Sequence, residues 1–507
     1  MAQPSLADLT AAAAAAEDPG FTPASVPKFG GVDPLGLRQI NFDLMDQVLP
    51  GLNNVARHIR PFVVVAWAWR RAHQRAQALG TDVVKLGQLQ DFVDRIEVIY
   101  VWSQLLRDAN ADLPGRQVLA PLLQATEFKF GGPNWQQRRK VRRYSTALSA
   151  PINYGPGLKM LGWVHPHPAY PDVMIPSAAA APALDAFEAQ IGDLLDHDAF
   201  SRFGPVVVTT DEARAWADSW ALDSVTEAEA RVMSELLVGS AAPIGRRLGG
   251  ELMLLAAVHA SSTSANRLRA AMAGPPSDFV PPAHLLEIRE VWRRVQTRQL
   301  FRLSLEALFY WTLDNLQGRS SSIDALVRAF LDQTPRPAHI TTAGEWMEWL
   351  SPPAAGPTEL ITRVRQALDA PTDGDLARSI ATGIAFCLTE VSQTESHAER
   401  TDRPPLFRAR QEAVVRTSGS IEEFVRHVFE SWVLAQHAYW SVGRGLADAR
   451  ARGKTLLRLK IILDEGGWTL TPGALRGSPP QPTPDRLQTA VTLATECGLF
   501  SQLAAQS

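Results

Sequence analysis

The sequence predicts a mainly α, multi-helical protein with a small C-terminal β-hairpin or winged-helix-like module. Apolar residues recur at a spacing of three to four along much of the 507 residues, which is typical of helices with one buried face. Strand-like sequence is confined to two short regions. Proline-rich segments interrupt the helical pattern at four places, so the helices are divided among several parts of the chain.

The first 29 residues are predicted to be a disordered tail. They contain an alanine run together with Asp8, Glu17 and Asp18, and they lack the basic start of a signal peptide. The first regular element follows this tail. One helical face is marked by apolar residues at steps of four, three, four and three, namely Val55, Ile59, Phe62, Ala66 and Trp69.

Two longer helices are predicted further along the chain. Residues 283–318 lack proline and glycine until Gly318, which is placed to end a helix. Residues 420–443 begin with Ser420 as a helix cap, and Glu423 three residues later completes a capping box. Both segments carry enough apolar side chains to bury one face.

Strand-forming sequence is found at 204–210 and at 456–475. The second region holds two β-rich runs around Glu465, Gly466 and Gly467, which predict a hairpin. The chain then returns to helix over 483–500, where Thr483 is a candidate cap and Pro484 suits the first helical position. Helix, hairpin and helix together predict the winged-helix-like module.

The proline-rich segments 165–183, 274–282, 351–357 and 477–484 predict the domain boundaries. We expect the 1–29 tail, an N-terminal helical basic domain over 30–164, a central helical domain over 184–400 and a C-terminal helix and hairpin module over 405–507.

Several function classes are disfavoured by composition and motifs. The two cysteines, Cys387 and Cys497, cannot build a disulfide framework or a zinc cluster, and they fit a reducing cytoplasm. A membrane span is not expected, because the chain has no uncharged apolar run of about 18 residues. The phosphate-loop, dinucleotide, zinc-protease and hydrolase motifs are absent, and His165 and His167 have no partners for a metal site. We therefore predict no cofactor and no metal.

Two long windows contain basic residues but no acid, although the net charge of the chain is −3. The window 128–171 combines its basic residues with tyrosine, tryptophan and phenylalanine, and the window between Asp46 and Asp82 contains five arginines. Basic side chains neutralise phosphates, and aromatic rings stack on unpaired bases. The windows therefore predict a nucleic-acid surface, with another anionic ligand, a protein partner or a solvated basic helix beside an aromatic core as alternatives. Its predicted residues are Arg57, Arg60, Arg71, Arg138, Arg139, Lys140, Arg142, Arg143, Tyr144 and Tyr154.

A dense polar set lies beside this basic sequence, and it contains the candidate catalytic residues Asp46 and Asn54. Asp46 is expected to activate a water or to stabilise developing positive charge, and Asn54 to contact a base edge. The simpler alternative is that the asparagines of this stretch are helix caps. Glu97 and Glu251 are rival acids, each more simply explained as a member of an ion pair.

The segment 30–71 resembles a group of large helical bacterial proteins from defence-rich gene neighbourhoods, which share a DPLG…LLPG…N…R…R signature. Residues 130–163, with a basic run leading to a Tyr-Gly-Pro turn, look like the next block of this group, and the segments 459–470 and 485–500 look like its C-terminal module. The resemblance implies a phage-restricting DNA glycosylase, with Asp46, Asn54, Arg57 and Arg60 on the signature. The chain departs from the pattern at RPFVVVAWAW, where an aromatic RYYSF-like sequence is expected.

Together these observations predict a DNA-binding antiviral defence protein that excises modified bases from phage DNA. Cleavage of an N-glycosidic bond requires the base to be flipped from the duplex, so the expected partner is double-stranded DNA with a flipped or modified base. The alternatives are a non-catalytic DNA-binding or sensor subunit and a protein-interaction scaffold of a defence system.

Overall fold

The structure is a computed structural model. It describes residues 33–80, 84–145, 147–275, 277–352, 355–370, 374–390, 405–452, 459–472, 474 and 477–501, and only the backbone of 141–145 and 447–452. The predicted tail at 1–29 lies outside the described residues. The described chain is mainly helical with a small C-terminal hairpin, as predicted, and its strands form three two-stranded antiparallel sheets in all.

The helices of the first half are listed here in chain order: α1 Arg38–Val48, α2 Ile59–Leu79, α3 Leu86–Arg107, α4 Arg116–Leu119, α5 Pro133–Ser145, α6 Gly155–Leu161, α7 Ala181–Gln190, α8 Asp198–Ser201, α9 Thr210–Trp216, α10 Glu227–Val238, α11 Ile244–Ala260 and α12 Ala265–Ala273. Those of the second half are α13 Leu286–Asn315, α14 Ile323–Asp332, α15 Ala343–Leu350, α16 Pro357–Asp369, α17 Asp375–Thr389, α18 Leu406–Val414, α19 Ile421–His427, α20 Ala435–Arg452 and α21 Leu487–Glu496.

The three sheets are hairpins or isolated pairs. Strand β1 (Glu127–Phe130) pairs with β4 (Val206–Thr209), β2 (Val164–Pro166) pairs with β3 (Met174–Pro176), and β5 (Ile461–Asp464) pairs with β6 (Gly467–Leu470). The predicted strand at 204–210 and the predicted C-terminal hairpin are therefore confirmed. Gly467 has a φ of 109°, and a Cβ there would lie 2.5 Å from the Ser321 carbonyl oxygen, so this position requires glycine.

The chain divides into two compact units, each assembled from separate ranges. One unit comprises Met1–Leu44, Met272–Val280 and Arg289–Thr483, and the other comprises Met45–Ala271, Pro281–Ile288 and Pro484–Ser507. The four contiguous ranges predicted from proline content do not coincide with these units. Proline marks where a helix stops, whereas a unit is defined by which faces pack together.

The unit that contains residues 289–483 has a core built around α13. Its buried apolar side chains come from α13 to α19, and Leu35 and Leu37 pack with them. Between α19 and α20 the helix continues as a π-helical segment, Val428–Leu434. The cap predicted at Ser420 is present, because its hydroxyl accepts from the backbone N–H of Glu423.

The unit that contains residues 45–271 is centred on the pair α2 and α3, whose facing side chains are almost all buried. Helix α2 begins at Ile59, so Val55 precedes the helix and is exposed, which corrects the predicted face. Pro61 lies in the first turn, where the backbone N–H that proline lacks has no helical partner. The last helix of this unit, α21, begins at Leu487, four residues later than predicted.

Across the described residues, none of the helices has the length and apolar character that a membrane crossing requires.

Candidate functional site

Helix α5 carries most of the predicted basic surface, and its opposite side is fixed to α3. The indole Nε1 of Trp135 donates to Asp91 Oδ1 over 2.7 Å, and the Arg139 Nε donates to Asp94 Oδ2 over 2.5 Å. Trp135 is buried and packs edge-on against Phe130, with 5.0 Å between ring centroids. These contacts anchor α5 to α3. They also pair Arg139 with acids of α3, so the charge of Arg139 is largely neutralised.

Four other cations of the window 128–171 are exposed: Lys129, Arg138, Lys140 and Lys159. Within the described part of the chain, none of the four forms an ion pair. The Arg138 guanidinium lies over the Phe128 ring, 5.5 Å from its centroid, which holds the charge against β1 while leaving it open to solvent. The predicted side-chain roles of Arg142, Arg143 and Tyr144 fall outside the described residues.

The second candidate region surrounds the start of α2, and we refer to it as the His58 cluster. Its members are Asp46, Asn54, Arg57, His58, Asp112, Tyr154, Arg486 and Glu496. The turn at Pro50 and Gly51 leads into it, and Gly51 has a φ of 85°, which favours glycine. The Asn53 side chain accepts from the backbone N–H groups of Val55 and Ala56, so this asparagine orders the loop. It is not the helix cap of the simpler alternative, because the N-cap of α2 is His58.

His58 is the N-cap residue of α2 and lies between two carboxylates. Its Nδ1 is 2.6 Å from Glu496 Oε1, and its Nε2 is 3.6 Å from Asp112 Oδ2. Burial lowers the pKa of the imidazole, but the bond to Glu496 and the charges of both acids outweigh it, so the pKa of His58 is raised. The second oxygen of Glu496 accepts from the Ile59 N–H over 2.8 Å and thereby caps α2.

Asp46 and Asn54, the predicted catalytic residues, both hold Arg486. The Arg486 guanidinium donates to Asp46 Oδ1 over 2.5 Å. The Asn54 side chain accepts from the Arg486 backbone N–H over 2.9 Å and donates to the Pro484 carbonyl over 3.1 Å. Arg486 has a φ of 63°, which is unusual for a residue other than glycine. These bonds fix the residue that precedes α21, and half of the Asp46 side chain remains exposed.

Three arginines of the predicted surface, Arg57, Arg60 and Arg71, come from the window between Asp46 and Asp82, and their surroundings differ. Arg57 is partly exposed, donates to the Asn54 carbonyl and pairs with Asp112 at 3.2 Å. Arg71 is mostly buried, and its guanidinium donates to the backbone carbonyls of Phe200 and Leu195. Both side chains therefore contribute bonds within the fold.

Arg60 is fully buried, which corrects its predicted role as a phosphate ligand. Its guanidinium donates to Glu229 Oε1 over 2.9 Å and also contacts Gln190 and Ser224. Neither Arg60 nor Glu229 has any exposed side-chain surface. Surface-bound nucleic acid cannot reach this guanidinium without a change in the fold.

Tyr154 is also fully buried, so its ring is not accessible for stacking on a base, and this corrects the second part of the prediction. Its ring packs edge-on against Phe62 at 4.8 Å, and its hydroxyl accepts from the His58 N–H over 3.2 Å. Burial raises the pKa of Tyr154 well above its usual value. Tyr154, which comes from the window 128–171, thereby contacts the start of α2 in the window between Asp46 and Asp82.

The rival acids have structural roles in the described fold. Glu97 is buried, and its Oε2 accepts from the Leu148 N–H over 2.9 Å, which orders the chain after α5. Glu251 pairs with His284 at 2.7 Å. In the described residues no group of three histidine, cysteine or acidic side chains is arranged to hold a metal ion.

Sequence reasoning missed His58, Asp112, Arg486 and Glu496. The partner of His58 lies 438 residues further along the chain, so no local spacing relates them. The sequence contained one signal for this cluster, the position of His58 immediately before the apolar face of α2. Chemically, a histidine oriented by a carboxylate is suited to proton transfer, and Glu496 occupies that orienting position.

No family model matches the chain, and neither a curated protein nor a solved structure matches it significantly.

Proposed function

We propose that the protein binds DNA through a basic surface formed by β1 and α5, and that it acts in antiviral defence. The observation that carries this proposal is the set of exposed cations Lys129, Arg138 and Lys140, which have no ion-pair partner among the described residues. The anchoring of α5 through Trp135 supports it further. A fixed helix presents its charges in one geometry, so less side-chain and backbone freedom is lost on binding.

For DNA binding, the positive charge of this local surface matters more than the net charge of −3 of the whole chain. Each lysine or arginine that neutralises a DNA phosphate releases counterions, and binding then weakens as salt increases. Three further cations of the two windows, Arg57, Arg71 and Arg139, are largely committed to acids or carbonyls within the fold. We therefore propose that the phosphate contacts are made by the three exposed side chains of β1 and α5, Lys129, Arg138 and Lys140.

The binding test compares two double charge reversals in the full-length protein. Arg138→Glu with Lys140→Glu removes the proposed contacts. Arg214→Glu with Arg231→Glu is the control, because both of its arginines are exposed and lie in surface ion pairs of the same unit. We expect the slope of log affinity against log salt to fall by about two in the first variant and to stay unchanged in the control. Equal slopes in the two variants would overturn the proposal.

For the chemistry we propose hydrolysis of the N-glycosidic bond of a modified base in phage DNA, in line with the resemblance of residues 30–71. In this reaction the bond between the sugar C1′ and the base nitrogen breaks, and water supplies the oxygen that bonds to C1′. The water gives up a proton, and the departing base gains one. The half-exposed carboxylate of Asp46 is the proposed catalytic group, supported by Asn54.

The activity test uses modified phage DNA and detects abasic sites by alkaline cleavage. Asp46→Asn removes the carboxylate and its ion pair, whereas Arg486→Gln removes the same ion pair and keeps the carboxylate. We expect Asp46→Asn to lose activity while DNA binding persists, and Arg486→Gln to retain most of it. If no abasic sites appear with the unaltered protein, or if Asp46→Asn keeps full phage protection, the glycosylase proposal fails.

A non-catalytic DNA-binding or sensor subunit is the second candidate. It is favoured by the bonds of Asp46 and Asn54 to Arg486, which give both residues a structural role without chemistry. This candidate predicts salt-dependent binding without product. A third candidate, a protein-interaction scaffold, predicts that DNA is not bound at all.

A further inference from the structure

The β2–β3 hairpin ends in an aromatic tip that the proposed DNA surface does not use. The strands pair from Val164 with Pro176 to Pro166 with Met174, and the tip comprises residues 167–173. Its base is fixed in the fold, because Val164 is buried and His73 bonds to the Met174 carbonyl over 2.8 Å, and Val173, the last residue of the tip, is buried as well. The tip is therefore a projecting loop on a firm support.

Short-range bonds give the tip a defined shape. The His167 N–H donates to the Val173 carbonyl over 2.8 Å, the Tyr170 N–H to the His167 carbonyl over 3.2 Å, and the Ala169 N–H to the His167 Nδ1 over 3.1 Å. Pro166, Pro168 and Pro171 restrict the backbone further. Such a loop loses little conformational entropy when it contacts a ligand.

Two aromatic rings stack at this tip. The His167 imidazole and the Tyr170 ring have centroids 5.3 Å apart and an interplanar angle of 29°. About half of Tyr170 is exposed, although a tyrosine ring has a large apolar surface. A rigid, half-exposed aromatic pair presents a flat surface on which another ring can stack.

We propose that the Tyr170 tip stacks on an unpaired base of the bound DNA. This inference rests on the proposed DNA binding and adds the specificity for unpaired over paired bases. Asp172 is the one acid of the tip, and the stretch 128–171 that leads to it contains basic residues but no acid. A base within an intact duplex has both faces covered by its neighbours, whereas an unpaired base offers a free face.

The test measures binding to three DNAs of equal length: a full duplex, a duplex with a central unpaired segment, and a single strand. A 2-aminopurine in the unpaired segment reports stacking through its fluorescence. Unaltered protein should prefer the unpaired segment to the full duplex and quench the probe. Tyr170→Ala should reduce that preference by about 5- to 150-fold, the equivalent of about 1–3 kcal/mol for one stacked base, and leave duplex binding unchanged. Tyr170→Phe should retain the preference.

Tyr439→Ala is the matched control, because Tyr439 is an equally exposed tyrosine on α20. It should leave all three affinities unchanged. The inference is overturned if unaltered protein shows no preference for unpaired DNA, or if Tyr170→Ala weakens duplex and unpaired DNA equally. In those cases salt-dependent duplex binding still supports the proposed function. Absence of any DNA binding overturns both.

Discussion

At the scale of single residues, the ion pair between Arg60 and Glu229 is expected to have a large effect on stability. Both side chains are fully buried, and the second Glu229 oxygen accepts from the Thr226 N–H and so caps α10. Burial lowers the pKa of Arg60 and raises the pKa of Glu229, because each charge loses its water. Their mutual attraction offsets the loss of hydration, so the removal of one partner alone should lower the stability of the fold.

We expect Arg60→Met to lower the free energy of unfolding by about 3–5 kcal/mol, because it leaves the Glu229 carboxylate buried without a counter-charge. Glu229→Gln in the same chain should restore part of that loss, since glutamine keeps an acceptor for the Thr226 N–H. Urea unfolding of the two single variants and the double variant measures the coupling. Additive losses would contradict the pairing.

His58 and Glu496 predict a dependence of stability on pH. The folded pKa of His58 is raised above 6.5, so the pair contributes fully at pH values below about 6.5 and its contribution is lost as the pH rises through the folded pKa. Glu496→Gln keeps an acceptor for the Ile59 N–H but removes the charge. We expect it to cost about 1.5–3 kcal/mol at pH 5.5 and clearly less at pH 8.5 in urea unfolding.

Glu227→Gln serves as the control for the pH experiment, because Glu227 is exposed and pairs with Arg231 four residues away. Its small effect should not follow the titration of His58. A Glu496→Gln loss that is equal at both pH values would argue against a charged His58.

Residue types alone predicted which stretches are basic, but not which cations are exposed. Arg60 and Arg138 both lie in long acid-free stretches, yet Arg60 pairs with an acid 169 residues away and Arg138 stays at the surface. Only the tertiary fold decides between these outcomes. Glu496 and Arg486 were missed for the same reason, because only the tertiary fold brings them from the C-terminal part of the described chain to the His58 cluster.

At the scale of elements, the docking of α21 depends on Asn54 and Asp46. Arg486, directly before this helix, has a left-handed backbone that costs about 1–3 kcal/mol in a residue other than glycine. The bond from the Arg486 N–H to Asn54 and the ion pair with Asp46 hold it there. The predicted cap at Thr483 was wrong, because the helix begins at Leu487 and its N-cap residue is Arg486, with a left-handed backbone.

We expect Asn54→Ala to weaken the docking of α21 by roughly 1–2 kcal/mol, because two hydrogen bonds are lost. Hydrogen exchange of the amides in 487–496 should become faster, while exchange in α13 should stay unchanged. Gln488→Ala on the exposed side of α21 is the control. Unchanged exchange in α21 would show that Asn54 is not needed for docking.

Helices and hairpins were predicted well where a local signal specifies them. Gly467 fixes the turn of the β5–β6 hairpin, and the Ser420 hydroxyl caps α19. Both features can be recognised from a few consecutive residues of the sequence. The short pair β1 and β4 was predicted only in part, because its strands are more than 70 residues apart and β1 lies beside the basic helix.

At the scale of the whole molecule, the two compact units each contain one buried cysteine, Cys387 in one and Cys497 in the other. Burial raises the pKa of the Cys497 thiol to about 12 and that of Cys387 well above its usual value. Both thiols should therefore react slowly with thiol reagents in the folded protein, since the thiolate is the reactive form.

Thiol labelling in moderate urea should consequently report the opening of each unit separately. We expect Asn54→Ala to speed the labelling of Cys497, which follows α21, and to leave the rate at Cys387 unchanged. Mass spectrometry of peptides from the labelled protein distinguishes the two sites. Equal acceleration at both cysteines would indicate that the units open together.

The dependence of His58 on Glu496 has a consequence for synthesis on the ribosome. His58 leaves the ribosome early, but its partner is made 438 residues later. At roughly 5–20 residues per second, the interval is on the order of 20–90 s. During that time the start of α2 lacks its carboxylate cap, and a chaperone that binds α2 has a defined period in which to act. Completion of residues 484–496 then ends this period, because the same segment brings the partners of Asp46, Asn54 and His58.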